Sequence, residues 1–452
     1  MKKQPIERIA PSCCRTLAVL AAALVAATAP SPSFAATIVT QTINNVEWRF
    51  KLDSSAGTAT IGLGENAEAS YAYASDIVLD ADTIPWTFTG DDNVEYTVTA
   101  IAAEAFRGKT NMTGKITIPI TVKSIGVHAF SGKCGITGIA GCNGVTTWES
   151  YVFNCPNLTG TYPDLSPAVS LGESVFGTAA LTGPLKLGSS LAEIPRCAFY
   201  QYNITGTAVV PSTVTKINDF SGKGVFGECP NLEAIWVKGK PAASSQTYTT
   251  IAMKSFAQKS TNVKIILMGQ NTKGSSMASS NYMLANDSGV QVFVPANGYW
   301  NGLVTGGTNN KVWYYGPTND FNLVVDDDAM RATFTPTTAE SFTNALAWAS
   351  LFKEHFDLEP RINVTNAIDL ADVEISEDMV ADATFDRLMF AVKTQSELDN
   401  ILGEFPSDTP LAIDPSEITE NLTIPVSRKV YVLLSEADAV KLKAKGFAII
   451  FR

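Results

Sequence analysis

The sequence is poor in the groups that most catalytic and metal sites need. Only two histidines, His128 and His355, occur in 452 residues, and neither sits in a His-Glu-x-x-His frame. No cysteine pair has Cys-x-x-Cys spacing, which argues against a structural zinc. There is no Gly-x-Ser-x-Gly elbow, no P-loop, and no Gly-x-Gly-x-x-Gly after a strand. Frames for a nucleophile, a phosphate or a dinucleotide are therefore missing. No cofactor, metal or catalytic residue is expected, and the sequence reads as a non-enzyme.

Long apolar runs are also missing. The one candidate, Leu17–Ala29, has 13 residues, against the roughly 20 that a membrane-spanning helix needs. It follows Lys2, Lys3, Arg8 and Arg15 and precedes Ser33-Phe34-Ala35, the order of a secretory signal peptide with cleavage after Ala35. Cys13 and Cys14 precede the run, so no cysteine stands where a lipoprotein would be acylated. The mature chain is expected outside the cytoplasm (extracellular, at the cell surface or periplasmic) with no membrane span.

Positive charge is scarce too. The net charge is −11, and an acidic chain without a basic stripe repels phosphate backbones, so nucleic acid is not an expected partner. The excess acid is uneven. Residues 318–452 hold 24 Asp and Glu against 11 Lys and Arg, whereas residues 36–317 hold 19 against 18. That step marks a boundary near Pro317. The five cysteines after the signal, Cys134, Cys142, Cys155, Cys197 and Cys229, are an odd number in a disulfide-permissive compartment. Their pairing is open, and at least one thiol stays single.

What the sequence does have is a repeat. Phe106, Phe130, Phe153, Phe176 and Phe199 recur at intervals of 24, 23, 23 and 23 residues, with Phe226 continuing the series less regularly. Each of the first five is followed by an apolar residue and Thr-Gly, as in Ile136-Thr137-Gly138 and Leu181-Thr182-Gly183. A third series, Val98, Val122, Val145, Val169, Leu191 and Val214, keeps the register. A period of 20 to 29 residues is that of a leucine-rich solenoid, whose units bury their apolar faces only against one another. The phenylalanines are expected to form an internal ladder and the valines a second buried row. The glycine after each threonine is expected to permit a tight bend.

These residues resemble a known family. Val122-x-x-Ile125-Gly126-x-x-Ala129-Phe130, Ile118-Pro119 ahead of it, and the paired Cys155-Pro156-Asn157-Leu158 and Cys229-Pro230-Asn231-Leu232 are similar to BspA-type leucine-rich repeats over roughly residues 84–316. The resemblance implies a β-rich solenoid and an exported adhesion-like or protein-binding role, and it says little about the ligand.

The two ends read differently. Val46, Trp48, Phe50 and Leu52 alternate with polar residues as a half-buried strand, which with Thr58 to Leu63 forms a hairpin able to cap the first coil. Segments 241–250 and 271–289, rich in Ser, Thr, Asn and Gly, read as loops. Beyond residue 318, Thr337-x-x-Glu340 opens an amphipathic helix with Phe342, Leu346, Ala349 and Phe356 on one face. Further helices start at Thr394 and Ser435 beside apolar strands, with Gly446 closing the second, an order that gives a small α/β or α+β domain. Asp326-Asp327-Asp328 reads as a solvated turn and His355 as a surface helix residue. The chain thus divides into signal peptide 1–35, cap and degenerate first repeat 36–97, solenoid 98–316, and acidic α/β domain 318–452.

The expected function is binding to a protein or a surface glycan, through exposed strand residues between the buried ones. Two alternatives stand beside it. One is a carbohydrate-binding envelope protein that stacks sugars on Trp300, Trp313, Tyr314 and Tyr315, although the ordinary role of such aromatics is to seal the core. The other is an enzyme confined to residues 318–452.

Overall fold

The computed structural model of the chain describes residues 37–64, 71–73, 78–218, 224–239, 248–252, 256, 262–274, 289–297, 299–300 and 309–363, together with 394–396, 399 and the strands 384–385, 388–392, 411–413, 430–433 and 448–451. The expected signal peptide, most of the helix expected from Thr394 and the one from Ser435 to Gly446 lie outside the described residues.

Val46–Asp53 buries every second side chain, so it forms a strand with one face in the core. It pairs antiparallel with Thr58–Ile61 and also with Thr37–Ile43, so the expected hairpin is the second half of a three-stranded meander. Asn44 and Asn45 both take positive φ, 52° and 61°, which builds the tight two-residue turn of the first hairpin. Thr58–Ile61 then pairs in parallel with Glu95–Ile101, and the chain passes from hairpin to coil. Residues 71–73 are tied to this end by Lys109, a buried lysine whose Nζ donates to the Tyr73 carbonyl at 2.7 Å and lies 4.6 Å from the Tyr73 ring.

From there each coil adds one short parallel strand to a row that runs Ser124–Ile125, Thr147–Trp148 and Ser170–Leu171. The same kind of row resumes through Glu193–Ile194, Lys216–Ile217, Thr249–Ile251 and Thr272–Gly274. The last two fall in segments whose polar composition reads as loop. They are strands because Thr249 and Thr272, both fully buried, bond their hydroxyls to the carbonyls of Val214 and Gly269 at 2.7 and 2.8 Å. A threonine satisfied in this way behaves as a β-branched core residue.

Inside the coils the phenylalanine rings stack. Phe106, Phe130 and Phe153 lie 4.9 Å apart, within 5° of parallel, and Phe176 follows at 5.9 Å. Each is at most 1% exposed. Phe199, Phe226 and Phe256 make a second stack at 5.4 and 6.1 Å. Between the two stands Tyr202, edge-on to Phe176 and to Phe199. Its hydroxyl accepts the Phe176 N–H at 2.8 Å, where Phe130 and Phe153 bond instead to the next coil's backbone.

The valine row is buried at Val98, Val122, Val145, Leu191 and Val214, but Val169 is 53% exposed. Ala168 fills its place in the core, because that coil reaches the row one residue early. Of the glycines after threonine, Gly114, Gly160, Gly183 and Gly206 take φ of 85°, 106°, 122° and 68°, the bend that a side chain would strain.

A second sheet flanks the later coils: Gly206–Val210, Leu232–Val237, Ile265–Met268, Gln291–Pro295 and Lys311–Tyr315, all parallel. Its central strands do not alternate, since Ala234 to Val237 and Ile265 to Met268 are buried throughout. Runs of that kind face apolar layers on both sides. Ile235, Ile266 and Val292 point into the solenoid core, while Trp236, Leu267 and Phe293 join Phe321, Phe334, Trp348 and Phe352 in a second core.

The second core is roofed by the helix Ala339–Phe356 and by the strands Phe321–Asp326, Arg331–Pro336 and Glu359–Ile362, the helix linking the last two as a parallel crossover. The helix buries the expected Phe342, Leu346, Ala349 and Phe356. Its cap is Thr338, one residue later than the sequence pattern gives, and the reciprocal partner is Ser341, which leaves Glu340 free on the surface. The apolar core runs across Pro317, joining Trp236, Leu267, Phe293 and Tyr315 before it to Phe321, Phe334 and Trp348 after it. Farther on, Leu411–Ile413, Val430–Leu433, Leu388–Val392 and Ala448–Phe451 form an all-parallel sheet in that order. Among the described residues no helix is long and apolar enough to cross a membrane.

Candidate functional site

The coils turn a corner two residues before each phenylalanine, and there the backbone is left-handed without glycine. Glu104, His128, Tyr151, Ser174 and Cys197 take φ of 58°, 55°, 58°, 46° and 52°. Each such residue costs about 1–2 kcal/mol relative to an ordinary conformation. Backbone bonds from Glu104, His128 and Tyr151 to carbonyls of the next coil, at 2.9 to 3.0 Å, hold the first three in line. The side chains consequently form a column on the surface, one per coil.

In the middle of that column the His128 and Tyr151 rings lie face to face, 5.1 Å apart and 10° from parallel. Arginines flank them: Arg107 pairs with Glu104 at 2.7 Å, and Arg196 pairs with Glu173. All of these are half-buried, apart from the more deeply set Glu104 and the exposed Arg107. Partial burial, then the charge of Arg107, keeps the His128 imidazole below its ordinary pKa, so it is neutral at pH 7. A rigid, partly exposed group of Tyr, His and Arg has the composition of a protein-contact hot spot. The sequence gives no sign of it, because Glu, His, Tyr, Ser and Cys are not residues that announce a left-handed corner.

A second concave feature lies where the flanking sheet meets the helix. A cleft of about 440 Å³ is bounded by Trp313 and Tyr314 on the last strand, by Asn319 and Asp320 in the following turn, and by Glu340 and Asn344 on the first turns of the helix. The turn is fixed by Thr337, whose backbone N–H and hydroxyl both donate to the Asp320 carbonyl at 2.8 Å. Trp348 closes the inner end, edge-on to Trp313 at 4.8 Å.

Of the four aromatics considered for stacking a ligand, only Trp313 and Tyr314 reach this cleft. Trp300 is fully buried, its indole N–H donating to the Thr272 carbonyl at 3.2 Å. Tyr315 is 3% exposed and donates its hydroxyl to the Met268 carbonyl. Both are core residues: Trp300 lies in the solenoid core and Tyr315 in the second core, on the side of the strand that Trp313 also faces. His355, read as a surface residue, is also buried: it lies at the end of the helix against the flanking sheet, with Nδ1 3.8 Å from the Glu233 carboxylate. Asp326 makes a turn, its carboxylate accepting from the backbone of Asp328 and Ala329 at 3.1 and 3.0 Å.

None of the cysteines Cys134, Cys142, Cys155, Cys197 and Cys229 is in a disulfide. Burial pushes Cys142 and Cys229 up to about 12, so they remain protonated and unreactive. Among the described residues no three of His, Cys, Asp or Glu lie close enough together to hold a metal ion.

Parallel coils of about 23 residues around a column of phenylalanines define a leucine-rich-repeat β-solenoid. More particularly, residues 92–205 and 161–285 match the model of the BspA type leucine rich repeat region, in six copies. No curated protein sequence matches the chain. Among solved structures it is similar to a leucine rich cell surface protein from Faecalibacterium prausnitzii A2-165, at 16% identity and a TM-score of 0.31 over 62% of this chain and 96% of that one. It is also similar to a leucine-rich repeat protein from Bacteroides ovatus ATCC 8483, at 12% identity and a TM-score of 0.23 over 61% and 100%. A third, the pneumococcal vaccine antigen PcpA, is 14% identical with a TM-score of 0.23 over 62% and 99%.

Proposed function

We propose that this chain is an exported binding protein, that its role is recognition and not catalysis, and that the left-handed column is the surface it offers to a folded protein partner. One observation carries the reading. Five successive coils hold non-glycine residues in a conformation that glycine would adopt at lower cost, and strain of this kind persists where a side chain is needed. The stacked His128 and Tyr151 are what that strain presents outward, with Arg107 and Arg196 beside them on ordinary backbone. The BspA-type repeats support the same reading through the adhesion-like role that the resemblance implies. Export rests on the signal-peptide pattern of residues 1–35, and the four-part division with boundaries after 35, 97 and near 317 goes with it.

The test is direct binding of the full-length secreted product to a panel of extracellular-matrix and cell-envelope proteins. Saturable binding to at least one is expected, weakened about tenfold or more by Tyr151→Ala or Arg196→Ala, as for a hot-spot residue. Absence of saturable binding across the panel, or binding indifferent to both substitutions, would overturn the reading. N-terminal sequencing of the secreted product should begin at Ala36; an intact Met1 confined to the cytoplasm would remove the export part.

A further inference from the structure

We infer that the cleft between the last strand of the flanking sheet and the helix is a saccharide-binding site, distinct from the left-handed column, and that it takes an uncharged sugar. A sugar ring has an apolar C–H face and a rim of hydroxyls that both donate and accept. The cleft matches both parts. Trp313 and, beside it on the same strand, Tyr314 supply aromatic surface to the lining, which also includes two carboxylates, Asp320 and Glu340, and two amides, Asn319 and Asn344. Its volume of about 440 Å³ falls within the ~300–1,000 Å³ of small-molecule sites.

The charge of the lining selects among ligands. The residues that bound the cleft include those two carboxylates and no lysine or arginine, so a phosphate, sulfate or acidic sugar meets like charge and is rejected. Carboxylates accept from neutral hydroxyls through charge-assisted bonds. A simple cation would be attracted as well, but it leaves the amide donors of Asn319 and Asn344 without acceptors, whereas a polyol uses donors and acceptors alike. The observations therefore favour the sugar.

The walls are already in place. Thr337 pins the turn that carries Asn319 and Asp320. Reciprocal bonds between Thr338 and Ser341, at 3.1 Å each way, fix the helix start that carries Glu340. The Trp313 indole N–H donates to the Gln291 amide oxygen at 2.7 Å, which sets the ring against Trp348. Little ordering is left for binding to supply, and that favours affinity in a small site.

The experiment is calorimetric titration of the purified full-length chain with chitotriose, mannotriose, maltotriose and cellotetraose, and in parallel with trigalacturonate and choline. At least one neutral oligosaccharide is expected to saturate with Kd of about 1 mM or tighter. Glu340→Gln and Asn344→Ala, both at sites with little packing to lose, should each weaken it about tenfold. Trp313→Ala should abolish binding, and Trp313→Phe, which keeps a ring and the fold, should retain part of it. The inference is overturned if none of the four neutral sugars binds, if trigalacturonate or choline binds more tightly than they do, or if Glu340→Gln and Asn344→Ala leave the affinity unchanged. No protein partner is present in these titrations, so a negative result leaves the left-handed column as a protein-binding surface untouched.

Discussion

The middle coils and the last coils solve the same packing problem in opposite ways. Between Phe106 and Phe199 the chain buries one layer of side chains and leaves the outer residues in water, as at Thr159, Thr182 and Lys123. From Leu232 to Tyr315 the flanking strands are apolar on both faces, and the helix with its attendant strands covers what the coils leave bare. The difference teaches that a solenoid ends by changing partner: interior coils need only their neighbours, while the last coils need a layer of another kind. The two surfaces proposed for recognition lie along the middle coils and at the edge of the covering layer.

The largest test of that comparison removes the cover. A chain ending at Gly316 exposes Trp236, Leu267 and Phe293, each worth about 1.5–3 kcal/mol of burial. It is expected to aggregate and bind a hydrophobic dye, read by light scattering and fluorescence. A soluble, monomeric product with an unchanged melting point would make the covering layer an independent domain. Next, Phe130→Ala, with a ring 4.9 Å away on either side, should cost about 3–5 kcal/mol in urea unfolding. A loss near that of a surface residue would show that the stack is not the core.

Smaller effects sharpen the contrast. Thr338→Ala removes the helix cap and should cost about 1 kcal/mol, with faster amide exchange in the helix and none in the middle coils. Tyr151→Gly relieves a left-handed tyrosine while freeing the unfolded chain, so stability should stay within about 1 kcal/mol of the parent. Partner binding should nevertheless fall, and a parallel loss of both would tie Tyr151 to packing. The smallest effect is that of pH. Because His128 holds its proton less tightly when folded, the unfolded chain protonates first as pH falls below about 6.5. Stability contributed at neutral pH is then lost toward acid. Denaturation at pH 7 and 5 should show a smaller drop for His128→Gln than for the parent.

Much of the solenoid could be read from the amino-acid order, because a stacked array writes its period into the chain and the aromatic column needs the same residue in every coil. Where the reading slipped, local geometry had substituted one residue for another. Ala168 stands in for Val169, and Ser341 takes the capping role assigned to Glu340, each a shift of one position that composition does not register. Thr249 and Thr272 look like loop residues until a carbonyl is found for each hydroxyl. The surfaces were harder. Trp300 and Tyr315 cannot be told from Trp313 and Tyr314 without knowing which of them the packed layers cover completely. The left-handed column is invisible in the sequence, since φ is not written in residues that can adopt it only under constraint.

Tyr202 has a mechanical meaning. A linear array transmits cooperativity through nearest neighbours, and at Phe176 the backbone link to the next coil is replaced by a phenolic oxygen while the rings meet edge to face. One rung of the ladder is thus exchanged here, while Thr182 and Gly183 still pair with Asn203 and Ile204 across the same junction. Under tension or partial denaturation the ladder is expected to part there first, between the coil of Ser174 and the coil of Cys197, so that the left-handed column itself would be divided.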